Sequence, residues 1–396
     1  MKILYITTSL LINESASLRN ISLINGLIEN NVEVDIITLE YLENYEDIYL
    51  KNILKKEIDI QKIKIPLFNK YISRIKKLRE NTRNGFIKEI IFYFKDLLKE
   101  IIFFPDIYFE AIKNSQEIKV GNKNYDYIIS SSDAKTSHFI AQEIIKNNKI
   151  KVPWIQIWGD PWREDIGLKN INYFQKYRIN KNENKLLEKA DKVFYISELT
   201  ANNMKNQRKE IKDKIYVLNR SYLQEVISKN KIKKEYIFVY TGSIKNRNIL
   251  PLMESIKKYN ENSEVKIRTK FYGIEEDINL KNKFIEIYPR ISFEKVLAVY
   301  KEADVLVYID NLYNGTQIPG KIYDYFGTDK VILGLYENDV NKKFLERFNR
   351  IELYKNQEDK INLNNIIDKI GTQKVLKEFS PKILAKQFLK KLGEKS

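Results

Sequence analysis

An apolar run, a helical repeat and a second apolar run open the chain, joined by short connections. Residues 3–8 have the composition of a buried strand, residues 18–28 carry apolar side chains at helical spacing, and residues 32–38 form the next strand. This order predicts a right-handed βαβ unit and therefore a parallel sheet. Ligands of such sheets bind at the carboxyl ends of the strands, which makes the loop from Thr7 to Arg19 a candidate site. Because this loop has no G-x-G-x-x-G pattern, a dehydrogenase is disfavoured.

A second series of strands and helices begins near residue 236. The apolar run at 236–240 ends in the turn Thr241-Gly242-Ser243, and a helical repeat follows it. Further strands are predicted at 265–272, 285–288, 304–309 and 330–334. The fold class that follows is α/β with two Rossmann-like domains, which suits a length of 396 residues. We place the N-terminal domain at residues 1–225 and the C-terminal domain at residues 226–379.

The stretch 314–327, Asn-Gly-Thr-Gln-Ile-Pro-Gly-Lys-Ile-Tyr-Asp-Tyr-Phe-Gly, directly follows the strand at 304–309 and its short polar loop. Pro319 suits the first turn of a helix, because its fixed φ matches the helix and its missing N–H leaves no donor unpaired there. Lys321 and Asp324 are three residues apart and would share one face of that helix. A lysine beside free backbone amides and a positive dipole end predicts an anion site. Since a carboxylate can bind the diol of a ribose, the two residues together suggest a nucleotide.

Composition excludes several kinds of site and partner. The chain has no cysteine and one histidine, His138, so disulfides and thiolate metal sites are excluded, and we expect no metal and no cofactor. A net charge of +16 favours anionic partners. The basic residues are dispersed and no nucleic-acid-binding module is recognisable, so nucleic acid is not the expected partner. The first apolar run is too short for a signal peptide and no apolar run reaches membrane-spanning length, which predicts a cytoplasmic location.

Residues 68–114 are basic, aromatic and mostly helical in spacing. Apolar residues such as Ile72 and Leu78 alternate there with basic residues such as Lys77 and Arg79. One interpretation is a helix that lies in the interface of an anionic membrane, as a peripheral contact at the inner face of the cell membrane. The other is a helix whose apolar side chains pack on the sheet while its lysines face water.

Two further loops of the N-terminal half follow predicted strands. Ser131 lies in the Ser-Ser-Ser-Asp run that ends the strand at 125–130. The strand at 153–158 ends in a Gly-Asp-Pro-Trp turn, which contains Asp160 and Trp162. This turn either presents Asp160 to a cleft lined by indole, which suits a sugar ring, or is an Asx-type turn with Trp162 in the core.

A series of short motifs runs through the chain in order. They are Pro105-Asp106, Ile129-Ser130-Ser131, Asp160-Pro161-Trp162, Ala190-Asp191-Lys192-Val193, the turn with Tyr240, Gly242, Ser243 and Arg247, Ala303-Asp304-Val305, and Pro319-Gly320-Lys321-Ile322-Tyr323-Asp324-Tyr325 followed by Gly327. Their order and spacing resemble the retaining glycosyltransferase family four, and in particular its capsule, O-antigen and exopolysaccharide (lipopolysaccharide-type) members. The resemblance spans nearly the whole chain.

The resemblance implies the GT-B fold, in which two Rossmann-like domains face each other across a cleft. The N-terminal domain would bind the acceptor and the C-terminal domain the donor, with the helix at 380–396 crossing back onto the N-terminal domain. Ser380 and Pro381 are a clear start signal for that helix. The implied reaction moves a sugar from a nucleotide-sugar, UDP- or GDP-linked, to a surface-polysaccharide or lipid-linked glycan, with retention and without a metal.

The resemblance also implies roles for individual residues. Lys321 and Arg247 would bind the donor pyrophosphate and stabilise charge on the leaving nucleotide, and Asp160 would face the reacting carbon. Asp324 would bind the ribose hydroxyls. The other donor-binding residues would be Gly242, Ser243, Arg290, Ile291, Thr316, Gln317, Ile318, Pro319 and Gly320. The acceptor-binding residues would be Ser17, Arg19, Ser131 and Trp162.

Two departures from the family pattern leave other interpretations open. The family's two acids would fall at positions 316 and 324, where this chain has Thr316 and Asp324. Many members also have a catalytic-loop histidine where this chain has Gly159 and Asp160, so Asp160 is the candidate replacement. One alternative is a sugar-nucleotide 2-epimerase of the same fold, although such enzymes use several acids and histidines. The other is a catalytically degenerate protein that docks an active subunit.

Overall fold

The computed structural model describes residues 1–55, 58–81, 103–121, 123–132, 134–165, 171–228, 234–244, 247–274, 283–312, 318–357 and 360–394. They belong to two compact units, one formed by Met1–Asn219 with Ala385–Ser396 and the other by Arg220–Leu384. Each unit is built on its own parallel sheet. The predicted fold class, α/β with two Rossmann-like domains, is confirmed.

The first unit has a seven-stranded sheet with the order β3-β2-β1-β4-β5-β6-β7. Its strands are β1 Lys2–Thr7, β2 Glu33–Glu40, β3 Ile60–Lys64, β4 Tyr127–Ser132, β5 Trp154–Trp158, β6 Lys192–Tyr195 and β7 Ile215–Val217. All five residues of β5 are buried, as expected for an inner strand of a parallel sheet that helices cover on both faces. The strand order reverses between β1 and β4, whose carboxyl ends are paired at Thr7 and Ser131. Ligands of such sheets bind at this kind of switch point.

Seven helices of the first unit precede the second unit in the described part of the chain. They are α1 Ser15–Ile28, α2 Ile48–Ile53, α3 Pro66–Asn81, α4 Glu110–Asn114, α5 Thr136–Asn147, α6 Tyr173–Lys189 and α7 Glu198–Gln207. Side-chain caps begin three of them, because Asp47, Asn172 and Ser197 each accept a hydrogen bond from the first turn. Of the segment 68–114, residues 82–102 lie outside the described residues. None of the described helices combines the length and apolar character needed to span a bilayer.

The second unit has a six-stranded sheet with the order β10-β9-β8-β11-β12-β13. Its strands are β8 Glu235–Thr241, β9 Lys266–Tyr272, β10 Ile285–Tyr288, β11 Val305–Ile309, β12 Val331–Tyr336 and β13 Ile351–Lys355. The helices that follow α7 are α8 Leu250–Asn262, α9 Phe293–Glu302, α10 Lys321–Phe326, α11 Asp339–Glu346, α12 Leu363–Asp368 and α13 Pro381–Gly393. The sequence patterns do not predict β3 and β13. Both are edge strands in which polar residues interrupt the apolar run.

Helix α13 begins directly after Ser380, as the Ser-Pro signal predicts, and from Ala385 onwards it belongs to the first unit. Phe388 is fully buried, and its ring packs edge-on against Phe194 of β6 with 4.8 Å between centroids. Lys192 Nζ donates to the main-chain oxygens of Lys391 and Leu392 at 2.7 and 3.2 Å. The end of the chain is therefore part of the core of the first unit. The boundaries between the two compact units fall after residues 219 and 384, whereas the predicted domain boundaries fall after residues 225 and 379.

Replacing Phe388 with Ala should lower the free energy of unfolding of the first unit by about 3–5 kcal/mol, because a large buried ring is lost and a cavity remains. Urea unfolding, followed by tryptophan fluorescence, measures this, since all three tryptophans lie in the first unit. Lys386→Ala is the matched control, because Lys386 is exposed on the same helix. An equal effect of both substitutions would contradict the packing role of α13.

Candidate active site

Lys321 is the first residue of α10 and follows the loop after β11. Its ammonium is buried and lies 3.8 Å from the centre of the Tyr240 ring, and Nζ has no hydrogen-bond partner among the described residues. Burial lowers the pKa of Lys321 well below its ordinary value of 10.5; the Arg247 guanidinium lowers it further and Asp324 opposes both. A buried cation without hydrogen bonds is costly, so this ammonium is suited to an anion that enters from outside.

Gly242 brings the main chain at the end of β8 against this ammonium. Its φ of +115° is one that L side chains rarely adopt, and a Cβ at this position would lie 2.8 Å from Lys321 Nζ. Gly242 N donates to Tyr272 O at the end of β9 at 2.7 Å. Gly273 follows with a φ of +94°, and a Cβ there would lie 3.2 Å from Gly242 Cα. Two glycines therefore keep side chains away from the approach to Lys321.

Arg247 joins the ends of two neighbouring strands. Its Nε donates to Ile309 O of β11 at 3.1 Å, and its NH1 donates to Ser243 O after β8 at 2.7 Å. The Tyr240 hydroxyl donates to the same carbonyl of Ser243 at 2.7 Å. Arg247 is close enough to Lys321 to lower the pKa of the lysine. Two cations therefore share the carboxyl edge of this sheet, and the catalytic roles that the resemblance implies for Lys321 and Arg247 stay predictions.

Asp324 is paired with an arginine that sequence analysis missed. Arg220 NH2 lies 3.2 and 3.4 Å from the two carboxylate oxygens of Asp324, and the two side chains are only 3% and 10% exposed. Burial raises the pKa of Asp324, while Arg220 and, less strongly, Lys321 act in the opposite direction. The two partners are separated by 104 positions in sequence, so no local pattern could pair them.

The helix after Pro319 begins later than the sequence suggests. Helix α10 starts at Lys321 and has six residues, while Pro319 O accepts from Ile322 N at 3.2 Å in the preceding turn. The predicted helix start at Pro319 is therefore wrong, because a turn through Gly320 comes first and the helix begins at Lys321. A helix this short has a weak dipole, so attraction for an anion depends on Lys321 rather than on the helix end.

The remaining predicted donor residues are spread along the same sheet edge. Ile318 is buried, and Pro319 and Gly320 are half-buried. Arg290 is exposed and Ile291 half-buried in the turn after β10, which β9 separates from β8. Thr316 and Gln317 lie outside the described residues. The structure thus brings Gly242, Ser243, Arg247, Lys321 and Asp324 together, and the donor-binding roles stay predictions.

In the first unit, Arg19 and Ser131 meet at the carboxyl ends of β1 and β4. Arg19 NH2 donates to Ser131 Oγ at 3.3 Å and to Ser132 O at 2.8 Å. The Ser131 hydroxyl donates to Asn20 Oδ1 at 2.7 Å. Ser17, in the first turn of α1, is fully buried, and its Oγ has no hydrogen-bond partner in the part of the chain that is described. The structure therefore brings Arg19 and Ser131 together and buries Ser17 within one turn of Arg19 along α1, and their acceptor-binding roles stay predictions.

Asp160 and Trp162 follow β5 but point to different environments. The main-chain oxygen of Asp160 accepts a hydrogen bond from Lys135 Nζ at 2.7 Å, and Asp160 is half-buried. Trp162 is 4% exposed and stacks on Phe104 with 5.3 Å between ring centroids. This placement agrees with the interpretation of Trp162 as a core residue, and its contact with an acceptor stays a prediction.

His138 is a buried residue of α5. Its Nδ1 lies 2.7 Å from Ser130 Oγ, and its ring stacks on Trp158 with 4.5 Å between centroids. Burial lowers the pKa of His138 well below its ordinary value of 6.5, and the nearby cations Lys135 and Arg19 act in the same direction. The imidazole is therefore neutral at physiological pH. Across the described residues, no group of three or more His, Cys, Asp or Glu side chains is arranged to hold a metal ion.

No protein-family model matches the sequence, and no curated protein sequence matches it. Solved structures do share its fold. The lipopolysaccharide outer core galactosyltransferase WaaB is similar with a TM-score of 0.52 and 12% identity over 99% of both chains. A TarM mutant from S. aureus, in complex with fondaparinux, α-GlcNAc-glycerol and UDP, has a TM-score of 0.55 and 12% identity over 99% of this chain and 95% of TarM.

A Listeria monocytogenes protein provisionally named UDP-N-acetylglucosamine 2-epimerase is also similar. It has a TM-score of 0.56 and 10% identity over 99% of this chain and 95% of its own. The chain has the GT-B fold. Likeness at such low identity establishes the fold alone, so the choice between a transferase and an epimerase depends on the site.

Replacing Lys321 with Met should raise the free energy of unfolding by about 1–3 kcal/mol, because a buried charge without hydrogen bonds is removed. This increase in the free energy of unfolding should be largest at pH values where Lys321 of the wild type is protonated in both the folded and the unfolded state. It should shrink as the pH approaches 10.5, because the unfolded chain keeps the lysine proton up to that pH while the folded chain releases it earlier. Urea unfolding of both proteins over a pH series measures the difference.

Lys330→Met is the control for this substitution. Lys330 is also buried, but its Nζ donates to Ser228 Oγ at 2.6 Å and to Lys301 O at 3.1 Å. Its loss should therefore destabilise the protein, since two acceptors lose their donor. A loss of stability in Lys321→Met as large as that in Lys330→Met would show that Lys321 is an ordinary structural residue.

Proposed function

We propose that this protein is a glycosyltransferase that moves a sugar from a nucleotide-sugar donor to a glycan acceptor. The observation that carries the proposal is the buried Lys321 ammonium, which has no hydrogen-bond partner among the described residues and lies near the Arg247 guanidinium. Two cations at the carboxyl edge of a parallel sheet suit the pyrophosphate of such a donor. The fold supports this choice, because a galactosyltransferase and a UDP complex of TarM share it.

In the proposed reaction, Lys321 and Arg247 bind the pyrophosphate while the bond between the sugar and the phosphate breaks. Their charges stabilise the negative charge that develops on the leaving nucleotide, as a metal ion does elsewhere, so the enzyme is proposed to need no metal. The acceptor oxygen forms its bond to the anomeric carbon on the face that the phosphate leaves, and an oxygen of the leaving phosphate takes the proton of the acceptor hydroxyl. The configuration of the sugar is then retained without a side-chain nucleophile.

The other residues have supporting roles in this proposal. Asp324 accepts hydrogen bonds from the ribose of a UDP- or GDP-linked donor, and Gly242 and Ser243 allow the main chain to approach the phosphates. Arg290 and Ile291 flank the base, and the loop from Thr316 to Gly320 faces the sugar. Ser17, Arg19, Ser131 and Trp162 are assigned to the acceptor, with Asp160 facing the reacting carbon. The acceptor is proposed to be a surface polysaccharide or a lipid-linked glycan.

A thermal-shift panel of UDP, GDP, CMP and dTDP tests the donor site. The matching nucleotide at 100 times its dissociation constant should stabilise the folded protein by about 2.7 kcal/mol, because it binds the folded state alone. Lys321→Met should lose most of the shift, since a hydrogen bond to a charged group contributes about 1.5–3 kcal/mol. No shift with any nucleotide would contradict the proposal and favour the degenerate partner protein.

The epimerase alternative predicts a different product from the same donor. Incubation of the nucleotide-sugar without an acceptor, followed by NMR of the sugar protons, should leave an intact donor or free sugar with unchanged configuration at C2. The appearance of the C2 epimer would overturn the transferase. The sequence favours the transferase here, because the chain has one histidine and that residue is buried and neutral.

A peripheral membrane contact is also part of the proposal, through the basic and aromatic segment 68–114. Neutralising Lys76, Lys77 and Arg79 within α3 should weaken co-sedimentation with vesicles that contain phosphatidylglycerol, since each basic residue near an anionic surface contributes about 1 kcal/mol. Neutralising the exposed Lys257, Lys258 and Lys295 of the second unit changes the net charge equally and is the control. Equal sedimentation of both triple variants would remove this contact.

A further inference from the structure

We propose that Arg220 is the positioning residue that makes Asp324 a ligand for both hydroxyls of a ribose, and that this pair selects ribonucleotides over 2′-deoxyribonucleotides. The inference rests on the proposed function, because it takes the surroundings of the Lys321 ammonium as the nucleotide site. It goes beyond it by assigning a role to a residue outside every motif found in the sequence.

The geometry of the pair leaves part of the accepting capacity of the Asp324 carboxylate unused. A single nitrogen, NH2 of Arg220, faces both oxygens of Asp324, at 3.2 and 3.4 Å. A carboxylate oxygen has two lone pairs, so each oxygen keeps one for another donor. Two neighbouring hydroxyls, such as the 2′-OH and 3′-OH of a ribose, each supply one donor. Arg220 therefore fixes the rotation of the carboxylate and leaves its accepting capacity for a diol.

The charge of Arg220 is needed once a donor is bound. The charged and titratable groups facing Asp324 are Arg220, Lys321, Tyr300 and Tyr325. Both tyrosine hydroxyls are used elsewhere, since Tyr300 bonds to Thr241 Oγ1 at 2.9 Å and Tyr325 donates to Val307 O at 3.1 Å. A pyrophosphate on Lys321 would offset the charge of that lysine and repel the carboxylate. Arg220 is then the cation that keeps Asp324 ionised.

Ionisation of Asp324 decides whether it can bind a diol. A protonated carboxyl has one O–H donor and fewer free lone pairs, so it accepts from two hydroxyls poorly. Burial already raises the pKa of Asp324, and Arg220 is the stronger of the two cations that oppose this shift. Removal of Arg220 should therefore move protonation of Asp324 to higher pH and make nucleotide binding pH-dependent.

Calorimetric titration of the full chain with UDP and 2′-deoxy-UDP, and with GDP and 2′-deoxy-GDP, over a pH series tests the pair. Wild type should bind the ribonucleotide at least about tenfold more tightly, because the deoxy form leaves one oxygen of the buried carboxylate without the donor that the 2′-hydroxyl supplies. Arg220→Met should lose this preference. As the pH is lowered, its affinity for the ribonucleotide should begin to fall at a higher pH than the affinity of wild type does. Asp324→Ala should show no preference at any pH.

Two variants separate this role from a purely structural one. Arg268 is ion-paired with Glu235 at 2.9 Å and with Glu286 at 2.7 Å in the same unit, so Arg268→Met should change stability while leaving the preference and the pH profile unaltered. Arg220→Lys keeps the charge but lacks the guanidinium that holds NH2 between the two carboxylate oxygens. It should lose most of the preference, while its affinity begins to fall at the same pH as that of wild type when the pH is lowered. If Arg220→Met does not fold, this variant tests the positioning role of Arg220 in its place.

The outcomes are distinguishable. A folded Arg220→Met with the preference and pH profile of wild type overturns the inference, as does an Arg220→Lys variant with the full preference. Equal binding of ribonucleotide and deoxyribonucleotide by wild type overturns the inference and leaves the proposed function standing. Failure of wild type to bind any nucleotide overturns the proposed function itself, and the inference with it.

Discussion

The charge of Lys321 is held in a place where little in the described part of the protein compensates it. Its ammonium lies over the face of Tyr240 at 3.8 Å, and a cation–π contact is weaker than the hydrogen bonds that water would supply. Rigid surroundings are needed to keep a lysine in such a position. Gly242 after β8 brings the main chain against the ammonium, and Gly273 after β9 packs against Gly242 in turn. Burial of this charge lowers the free energy of unfolding, and an anion that pairs with the ammonium would offset that cost.

Other buried cations of the molecule show how unusual this arrangement is. Arg350 donates to the main-chain oxygens of Thr328, Lys330 and Lys374, so it ties together the chain around β12. Arg19 donates to Ser131 and Ser132 in the first unit. Both guanidinium groups donate to acceptors of the protein, so their charges are partly compensated. Lys321 has neither carbonyl nor carboxylate at hydrogen-bond distance among the described residues, and this contrast marks the site for an external anion.

Much of the fold follows from local sequence. Inner strands such as β5 and β11 are continuous apolar runs, because both faces of a parallel sheet are covered, and such runs are recognisable without a structure. The edge strands β3 and β13 are not recognisable in this way, because polar residues interrupt their apolar runs where the edge of the sheet meets water. The sequence also predicts the start of α10 at Pro319 instead of Lys321. Proline fits a helix start and a turn equally well, so the proline alone does not decide that the helix begins at Lys321.

The sequence by itself determined the two α/β series, the lysine and the aspartate three residues apart, and the glycine turn after β8. These features are local, because strand, helix and turn preferences act over a few residues. Only the tertiary structure decided that Lys321 is buried without a hydrogen bond in the described part of the chain, that Gly242 lies against it, and that Arg220 holds Asp324. Burial and ion pairing depend on which distant segments pack together, and the partners of Asp324 and Gly242 come from separate parts of the chain. The charge state of the site is therefore a property of the fold.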